Sequence, residues 1–237
     1  MNTDVSPTPQ TVHPHSEIAE NNGKFREIKK LYLASGSPRR RELIARIGLP
    51  FEIVPSPPDE YASSSAPELI AKEIAVNKAK GAVELRNRKL LPGEALITAD
   101  TSVWVDGQML GKPRDREDAF RMLRLISGRA HDVITGVAVV IPSVPGANEN
   151  KPDIRSFAAV TKVFVAGLDD TEIERYISSG DPMDKAGAYG IQGDFSTFID
   201  KIEGDYFNVV GLPLSALYRE LKAIDASAQA GTAENKS

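Results

Sequence analysis

Cysteine is absent from the 237 residues of this chain, and histidine occurs only three times. The lack of cysteine excludes disulfides, thiolate zinc sites and a cysteine nucleophile. Two of the histidines, His13 and His15, stand in a polar N-terminal stretch, which leaves His131 as the one histidine of the expected folded body. A multi-histidine metal site is therefore not expected. Any bound metal would have mainly oxygen ligands, which favour magnesium or manganese.

The chain also lacks an excess of positive charge and any long apolar run. Lys and Arg total 29 against 33 for Asp and Glu, a formal net charge of -4. Because nucleic-acid-binding domains usually carry a basic excess, we expect no nucleic-acid partner. The sequence has neither the roughly 18 consecutive apolar residues of a membrane span nor the basic and apolar start of a secretion signal. We expect no membrane partner and a cytoplasmic location.

What is present fits one globular domain with polar ends. Prolines among polar neighbours predict a disordered leader over residues 1–27, and small and polar residues predict a disordered tail over 223–237. Between them, residues 28–222 alternate strand-like and helix-like segments, and Asp106-Gly107 is a hairpin turn signal. This order predicts an α/β domain in which a mixed twisted sheet carries helices on both faces.

The first candidate site is the run Ser-Gly-Ser-Pro-Arg-Arg-Arg at residues 35–41, between a predicted strand and a helix that begins at Pro38. Free backbone N–H groups and the helix dipole favour an anion at such a helix start. Arginines in the first turn oppose the same dipole, and a bound phosphate would remove the conflict. The alternative is a solvated basic turn.

The second candidate is Asp100, a carboxylate inside an apolar strand predicted over residues 95–105. A buried unpaired charge is unfavourable, so Asp100 needs a partner or must face a cleft. There it could hold a metal ion or accept a proton from water. The alternative is a strand-end aspartate that bonds to its own backbone.

Two further segments carry weaker signals. Lys112, in the Gly-Lys-Pro sequence after the hairpin, could meet a phosphate or simply be solvated. The glycines of residues 184–193 suggest a backbone that lies in close contact with another group. In the same segment, the Gln192 amide could form hydrogen bonds with the imide edge of a pyrimidine. The alternative is a loop whose glycines serve only its turns.

Three other residues carry weaker or structural predictions. Glu60, after a proline cluster, could supply a metal ligand, although surface acids are more often solvated. We predict that His131 forms a structural hydrogen bond. We predict that Lys78 is exposed unless its helix face borders the cleft.

Read in order, these segments resemble the Maf family of nucleoside triphosphate pyrophosphatases, over about residues 31–221. The resemblance rests on five pieces in sequence order: Leu-Ala-Ser-Gly-Ser-Pro-Arg-Arg from residue 33, Ala-Asp-Thr from 99 with Gly-Lys-Pro from 111, Leu-Ile-Ser-Gly from 125 with His131 and Thr-Gly from 135, the run 184–193, and Gly-Leu-Pro-Leu from 211. Each piece alone is weak, but five in order are specific.

The resemblance implies hydrolysis of a nucleoside triphosphate to the monophosphate and pyrophosphate, in an elongated single domain with a deep central cleft. It also implies dependence on a divalent metal (Mg²⁺ or Mn²⁺) and a homodimer. The combination resembles the branch that acts on dTTP and UTP. A nucleotide-binding regulator of septum formation with little catalysis is the alternative.

The resemblance implies that Asp100 is the proton acceptor and that Arg39, Thr101 and Gln192 select the base. From the residues we add the hypothesis that a metal ion binds Asp100, with Glu60 as a second ligand. In the same hypothesis the phosphates are bound by Ser35, Arg39, Arg40, Lys112 and Lys185. Asp194 and Phe195 stand where the family often has small residues, which predicts a reshaped base pocket.

Overall fold

Eight strands and six helices occur in the part of the chain that the computed structural model describes, namely residues 11–12, 24–57, 62–86, 88–143 and 152–234. The strands are β1 Thr11–Val12, β2 Lys30–Ala34, β3 Phe51–Val54, β4 Glu94–Val105, β5 Gln108–Leu110, β6 Ala130–Ile141, β7 Asp153–Val165 and β8 Ile199–Glu203. The helices are α1 Pro38–Ala45, α2 Pro67–Leu85, α3 Arg116–Ile126, α4 Asp170–Ser178, α5 Tyr206–Val210 and α6 Leu214–Glu234. Short 3₁₀ turns cover Asp181–Asp184, Ala186–Ala188 and Asp194–Phe198.

All eight strands belong to one open sheet. Its order is β1-β3-β2-β4-β6-β7-β8, and β5 pairs with β4. The pairs β3–β2 and β2–β4 are parallel, whereas the pairs from β4 through β8 and the pair β1–β3 are antiparallel. The prediction of an α/β fold with a mixed sheet is confirmed.

Helices cover both faces of this sheet. Successive side chains of a strand point to opposite faces, so the apolar strands offer a hydrophobic surface to helices on each side. On the first face, α1 and α6 pack on Leu33, Ile97 and Val139, and farther along α3 and α4 pack on Val103 and Val163. On the second face, α2 packs on the alternate positions, which include Tyr32, Leu96 and Val140.

The sheet has a gap along one edge of β4. Lys30–Leu33 of β2 pair with residues 94–97, and β5 pairs only with residues 103–105. Between these ladders, residues 98–102 pair with β6 alone among the described strands. The loop after β2 and the loop after β5 therefore flank the gap, at the carboxyl end of β2, where open α/β sheets bind their ligands.

Helix α2 lies very close to the sheet on its second face. A Cβ on Gly136 of β6 would lie 2.0 Å from the carbonyl oxygen of Ala71, so only glycine fits there. The Thr98 hydroxyl donates to the Ala75 carbonyl over 2.7 Å. This close approach brings the inner face of α2 alongside the middle of β4.

The C-terminal boundary expected at residue 222 is corrected by α6, which continues to Glu234. Ile224 is buried, and the buried Asp225 carboxylate accepts N–H groups from Glu27 and Ile28 at 2.7 and 2.8 Å. These contacts order residues beyond 222. Phe25, inside the expected leader, is also buried.

Two short elements have only weak signals in the sequence. The segments β8 and α5 are each five residues long, and no strong periodicity predicts either of them. Within the described ranges, every helix is too short or too polar to cross a bilayer.

Candidate active site

The loop after β2 begins helix α1 in the predicted way. The Ser37 side chain caps the helix by accepting the Arg40 N–H, and Pro38 occupies the first turn. Ser35 is buried, and its hydroxyl accepts the Ser37 N–H at 3.2 Å. The first turn of α1 contains three arginines and no acidic residue. The positive end of the helix dipole is therefore not balanced by a nearby carboxylate within the turn.

Arg40 joins this loop to the middle of β4. Its Nη2 donates to Thr101 Oγ1 at 2.9 Å, its Nε donates to the Gly211 carbonyl at 2.8 Å, and Nη1 lies 3.4 Å from Ser35 Oγ. Residues 35, 40 and 101, widely separated in sequence, therefore lie together at the gap on the first face.

A chain of hydroxyl groups continues from Thr101 across the first face. Thr101 Oγ1 lies 2.9 Å from Thr135 Oγ1, and the Thr135 hydroxyl donates to the Asn208 carbonyl at 3.0 Å. Because Thr135 gives its proton to Asn208, Thr101 is the donor in the pair of hydroxyls. Thr101 thus accepts from Arg40 and donates to Thr135, which fixes its orientation.

Asp100 points to the opposite face, toward α2. Lys78 Nζ donates to Asp100 Oδ1 over 2.7 Å, and the two side chains are 8% and 20% exposed. Lys78 is therefore buried, which is the exception that the prediction allowed, because its helix face packs against the sheet beside Asp100. The signal in the sequence is the row of buried alanines with which Lys78 shares that face: Ala71, Ala75, Ala79 and Ala82.

Arg39 and Lys185 meet at one carboxylate. Arg39 Nη1 lies 3.8 Å from Asp184 Oδ2, and Lys185 Nζ lies 2.7 Å from Asp184 Oδ1. Lys185 also contacts Asp181 Oδ1 at 2.9 Å. Burial would raise the pKa of Asp184, but Lys185 and Arg39 outweigh that effect and hold the pKa below its ordinary value.

The glycine-rich segment is attached to the loop after β5. The Gly187 N–H donates to the Gly111 carbonyl at 3.0 Å, and a Cβ on Gly187 would lie 2.8 Å from the Val103 side chain. With φ of +70°, Gly187 also adopts a conformation that side chains disfavour. The contact places the segment that carries Lys185 and Gln192 beside the loop that carries Lys112.

Three predicted residues have less defined surroundings. Lys112 and Gln192 are exposed on their loops, on either side of the contact between Gly111 and Gly187. Glu60 lies outside the described residues. Among the residues described, no group of three or more Asp, Glu or His side chains is arranged to hold a metal ion.

The prediction for His131 is confirmed. Its Nε2 lies 2.7 Å from the Tyr189 hydroxyl, the side chain is buried, and burial lowers its pKa from 6.5 to about 4. The ring is therefore neutral near pH 7, as a structural histidine should be.

Of the two residues expected to reshape the base pocket, Phe195 belongs to the core and Asp194 to the surface. Phe195 is completely buried and packs against the rings of Tyr176, Tyr189 and Phe198. Burying an aromatic side chain among other rings is more favourable in free energy than exposing it to water. Asp194 is exposed at the start of the 3₁₀ turn.

Comparison with known proteins identifies the family of this chain. The family model described as "Maf-like protein" matches residues 30–224. A dTTP/UTP pyrophosphatase of Carboxydothermus hydrogenoformans is 48% identical over 193 residues, which cover 81% of this chain and 97% of that protein. The proteins of the same name from Alkaliphilus oremlandii and Bacillus mycoides are 50% identical over 192 residues and 42% identical over 200. These matches cover 80% and 84% of this chain, and 93% and 97% of the respective relatives. With nearly the whole folded body matched, the chain belongs to the Maf-like protein family.

Proposed function

We propose that this protein hydrolyses dTTP and UTP to the nucleoside monophosphate and pyrophosphate. The observation that carries the proposal is the gap in the sheet at residues 98–102 of β4, which include Asp100 and the Thr101 that Arg40 contacts from the loop after β2. Relatives at 42–50% identity named dTTP/UTP pyrophosphatase support the same activity and substrate class.

The proposed phosphate site uses the cations that flank the gap. Ser35, Arg39 and Arg40 come from the loop after β2 and the first turn of α1, and Lys112 and Lys185 come from the opposite loops. Arginine forks and the free N–H groups of a helix start suit phosphate oxygens. These groups would neutralise the charge that develops on the departing pyrophosphate, which is the main source of rate in phosphoryl transfer.

Asp100 is the proposed proton acceptor. Water attacks the α-phosphorus, the bond from that phosphorus to the bridging oxygen breaks, and pyrophosphate leaves with the bond electrons. The proton of the attacking water passes to the Asp100 carboxylate. Lys78 donates to Oδ1, which leaves Oδ2 lone pairs for that proton and keeps the carboxylate oriented.

A divalent ion would be held here by few protein carboxylates together with the phosphates of the substrate. Magnesium commonly binds through one or two carboxylates together with substrate phosphates. Asp100 offers one carboxylate at the gap, and we propose Glu60 as the second. Bound there, Mg²⁺ or Mn²⁺ would supply charge neutralisation on the triphosphate and a more acidic water.

Base selection is assigned to Arg39, Thr101 and Gln192. An exposed amide can donate to and accept from a uracil or thymine edge at the same time. Thr101 is proposed to pair with the same edge, and its hydroxyl accepts a hydrogen bond from Arg40. A site that relies on hydrogen bonds rejects bases that leave those groups unpaired.

The test is a panel of canonical and modified triphosphates with pyrophosphate as the readout, in Mg²⁺ or Mn²⁺ and in excess chelator. We expect metal-dependent release that is fastest from dTTP and UTP. Equal rates on purine and pyrimidine substrates would contradict the base assignment, and no release from any substrate would contradict the activity.

A nucleotide-binding regulator with little catalysis is the less favoured function, since the similar proteins carry the names of enzymes. The family resemblance also leads us to propose a homodimer that works in the cytoplasm. Measuring the mass of the protein in solution by light scattering tests the dimer.

A further inference from the structure

One phenol oxygen links three segments beneath the glycine-rich loop, which we define as residues 187–193. The Tyr176 hydroxyl, at the end of α4, donates to Asp181 Oδ2 at 2.6 Å. The same oxygen accepts the Gly190 N–H at 3.2 Å. Tyr176 is only 4% exposed, so these bonds form away from bulk water. Helix α4, the 3₁₀ turn Asp181–Asp184 and the glycine-rich loop therefore share one hydrogen-bonding atom.

Asp181 extends this link to Lys185. Its Oδ1 accepts from Lys185 Nζ at 2.9 Å, and its carbonyl accepts from the same ammonium at 2.6 Å. Burial would raise the pKa of Asp181, but the hydrogen bonds from Tyr176 and Lys185 hold that pKa below its ordinary value. The carboxylate is thus charged at neutral pH and held from both sides.

The glycines of the loop allow its backbone to lie directly on this cluster. A Cβ on Gly190 would lie 2.7 Å from Lys185 Cε, and one on Gly193 would lie 3.3 Å from Asp181 Oδ2. Gln192 lies between these two positions and is exposed. Its placement is therefore set by how the loop backbone rests on Asp181 and Lys185, and not by packing of its own side chain.

We propose that Tyr176 is a positioning residue for base recognition, which holds the glycine-rich loop through Gly190 and Asp181 so that Gln192 faces the base. The inference rests on the proposed function, which assigns Gln192 to the base edge. Discrimination by hydrogen bonds depends on geometry held to a fraction of an ångström, and groups outside the contact supply that precision.

The test compares Tyr176→Phe with a matched control, Tyr32→Phe. Tyr32 is also buried and also donates to a carboxylate, that of Glu94 at 2.9 Å, but it lies on β2 against α2. The readout is kcat/KM for dTTP, UTP and CTP, together with the thermal midpoint of each variant. A loss of stability that lowers the amount of folded enzyme changes kcat/KM equally for all substrates, so the ratio of kcat/KM values between substrates stays the same.

We expect Tyr176→Phe to lower the preference for dTTP and UTP over CTP by about fivefold or more, because it removes both hydrogen bonds through which the phenol orders the recognition loop. Tyr32→Phe should keep the wild-type preference. An unchanged preference in Tyr176→Phe would overturn the proposal.

Amide hydrogen exchange tests the loop independently of catalysis. We expect faster exchange across residues 187–193 in Tyr176→Phe and unchanged exchange there in Tyr32→Phe. If the wild-type protein releases no pyrophosphate from any triphosphate, the proposed function fails on that result alone. Unchanged exchange in Tyr176→Phe would overturn the positioning role whether or not the enzyme is active.

Discussion

Lys78 Nζ lies 2.7 Å from Asp100 Oδ1, which joins the inner face of α2 to the one carboxylate in the middle of β4. Both side chains are largely buried, and the two ends of the strand around them, residues 95–97 and 103–105, are apolar. Breaking a buried ion pair by removing one partner is strongly unfavourable, because the remaining charge is left without compensation. The pair therefore allows a charged aspartate to stand inside the sheet.

Replacing Lys78 tests this relationship through stability. We expect Lys78→Met to lower the free energy of unfolding by about 2–4 kcal/mol, since the Asp100 carboxylate loses the ammonium that donates to it. Adding Asp100→Asn to that variant should restore part of the loss. Urea unfolding of the two single variants and the double variant measures the coupling.

The control for this cycle is Lys80→Met, on the same helix but exposed. It should change the stability by less than about 0.5 kcal/mol. Strictly additive effects of Lys78→Met and Asp100→Asn would show that the two side chains do not depend on each other.

Gly136 tests the close approach of α2 to the sheet. In Gly136→Ala the new Cβ would meet the Ala71 carbonyl oxygen at 2.0 Å, so the helix must move away from β6. We expect a loss of about 3 kcal/mol and a fall in Tm of roughly 6–12 °C. The matched control is Gly167→Ala, because a Cβ on Gly167 meets nothing within 4 Å. Similar midpoints for the two variants would contradict the described packing.

His131 makes the stability of the protein depend on pH. Its pKa is about 4 in the folded chain and 6.5 ordinarily, so the unfolded chain binds more protons between these values. Stability contributed by the neutral ring is complete above pH 6.5 and is lost as the pH falls toward 4, by about 3 kcal/mol in total. About 2 kcal/mol of this is lost by pH 5.

Urea unfolding at pH 7 and pH 5 measures this effect in the wild type and in His131→Gln. The variant is expected to be less stable at pH 7, because it alters the contact with Tyr189. Its further loss between pH 7 and 5 should be smaller than that of the wild type by about 2 kcal/mol. An equal loss in both proteins would exclude His131 as the source.

The sequence allowed the main elements to be predicted because their signals are local. Ser37 and Pro38 specify the start of α1, and Asp106-Gly107 specifies the hairpin between β4 and β5. The polar residue in the apolar strand identified Asp100. Each of these signals depends on residues that are neighbours in the chain.

What could not be predicted depends on contacts between distant residues. The fit of Asp225 to the backbone N–H groups of Glu27 and Ile28, about 200 positions away, orders a helix that composition assigned to a disordered tail. Phe195 lies in the core because three other aromatic rings surround it. Neither the Asp225 contacts nor the Phe195 contacts could be predicted from the periodicity of the sequence.

The central claim is that Asp100 accepts the proton of the attacking water, and Asp100→Asn tests it most directly. The measurement is pyrophosphate release from dTTP and UTP by the wild type and the variant, with nucleotide binding followed in parallel by calorimetry. We predict that the variant binds nucleotide but loses at least about a hundredfold in kcat, the lower range for loss of a general base. Turnover near that of the wild type would contradict the account.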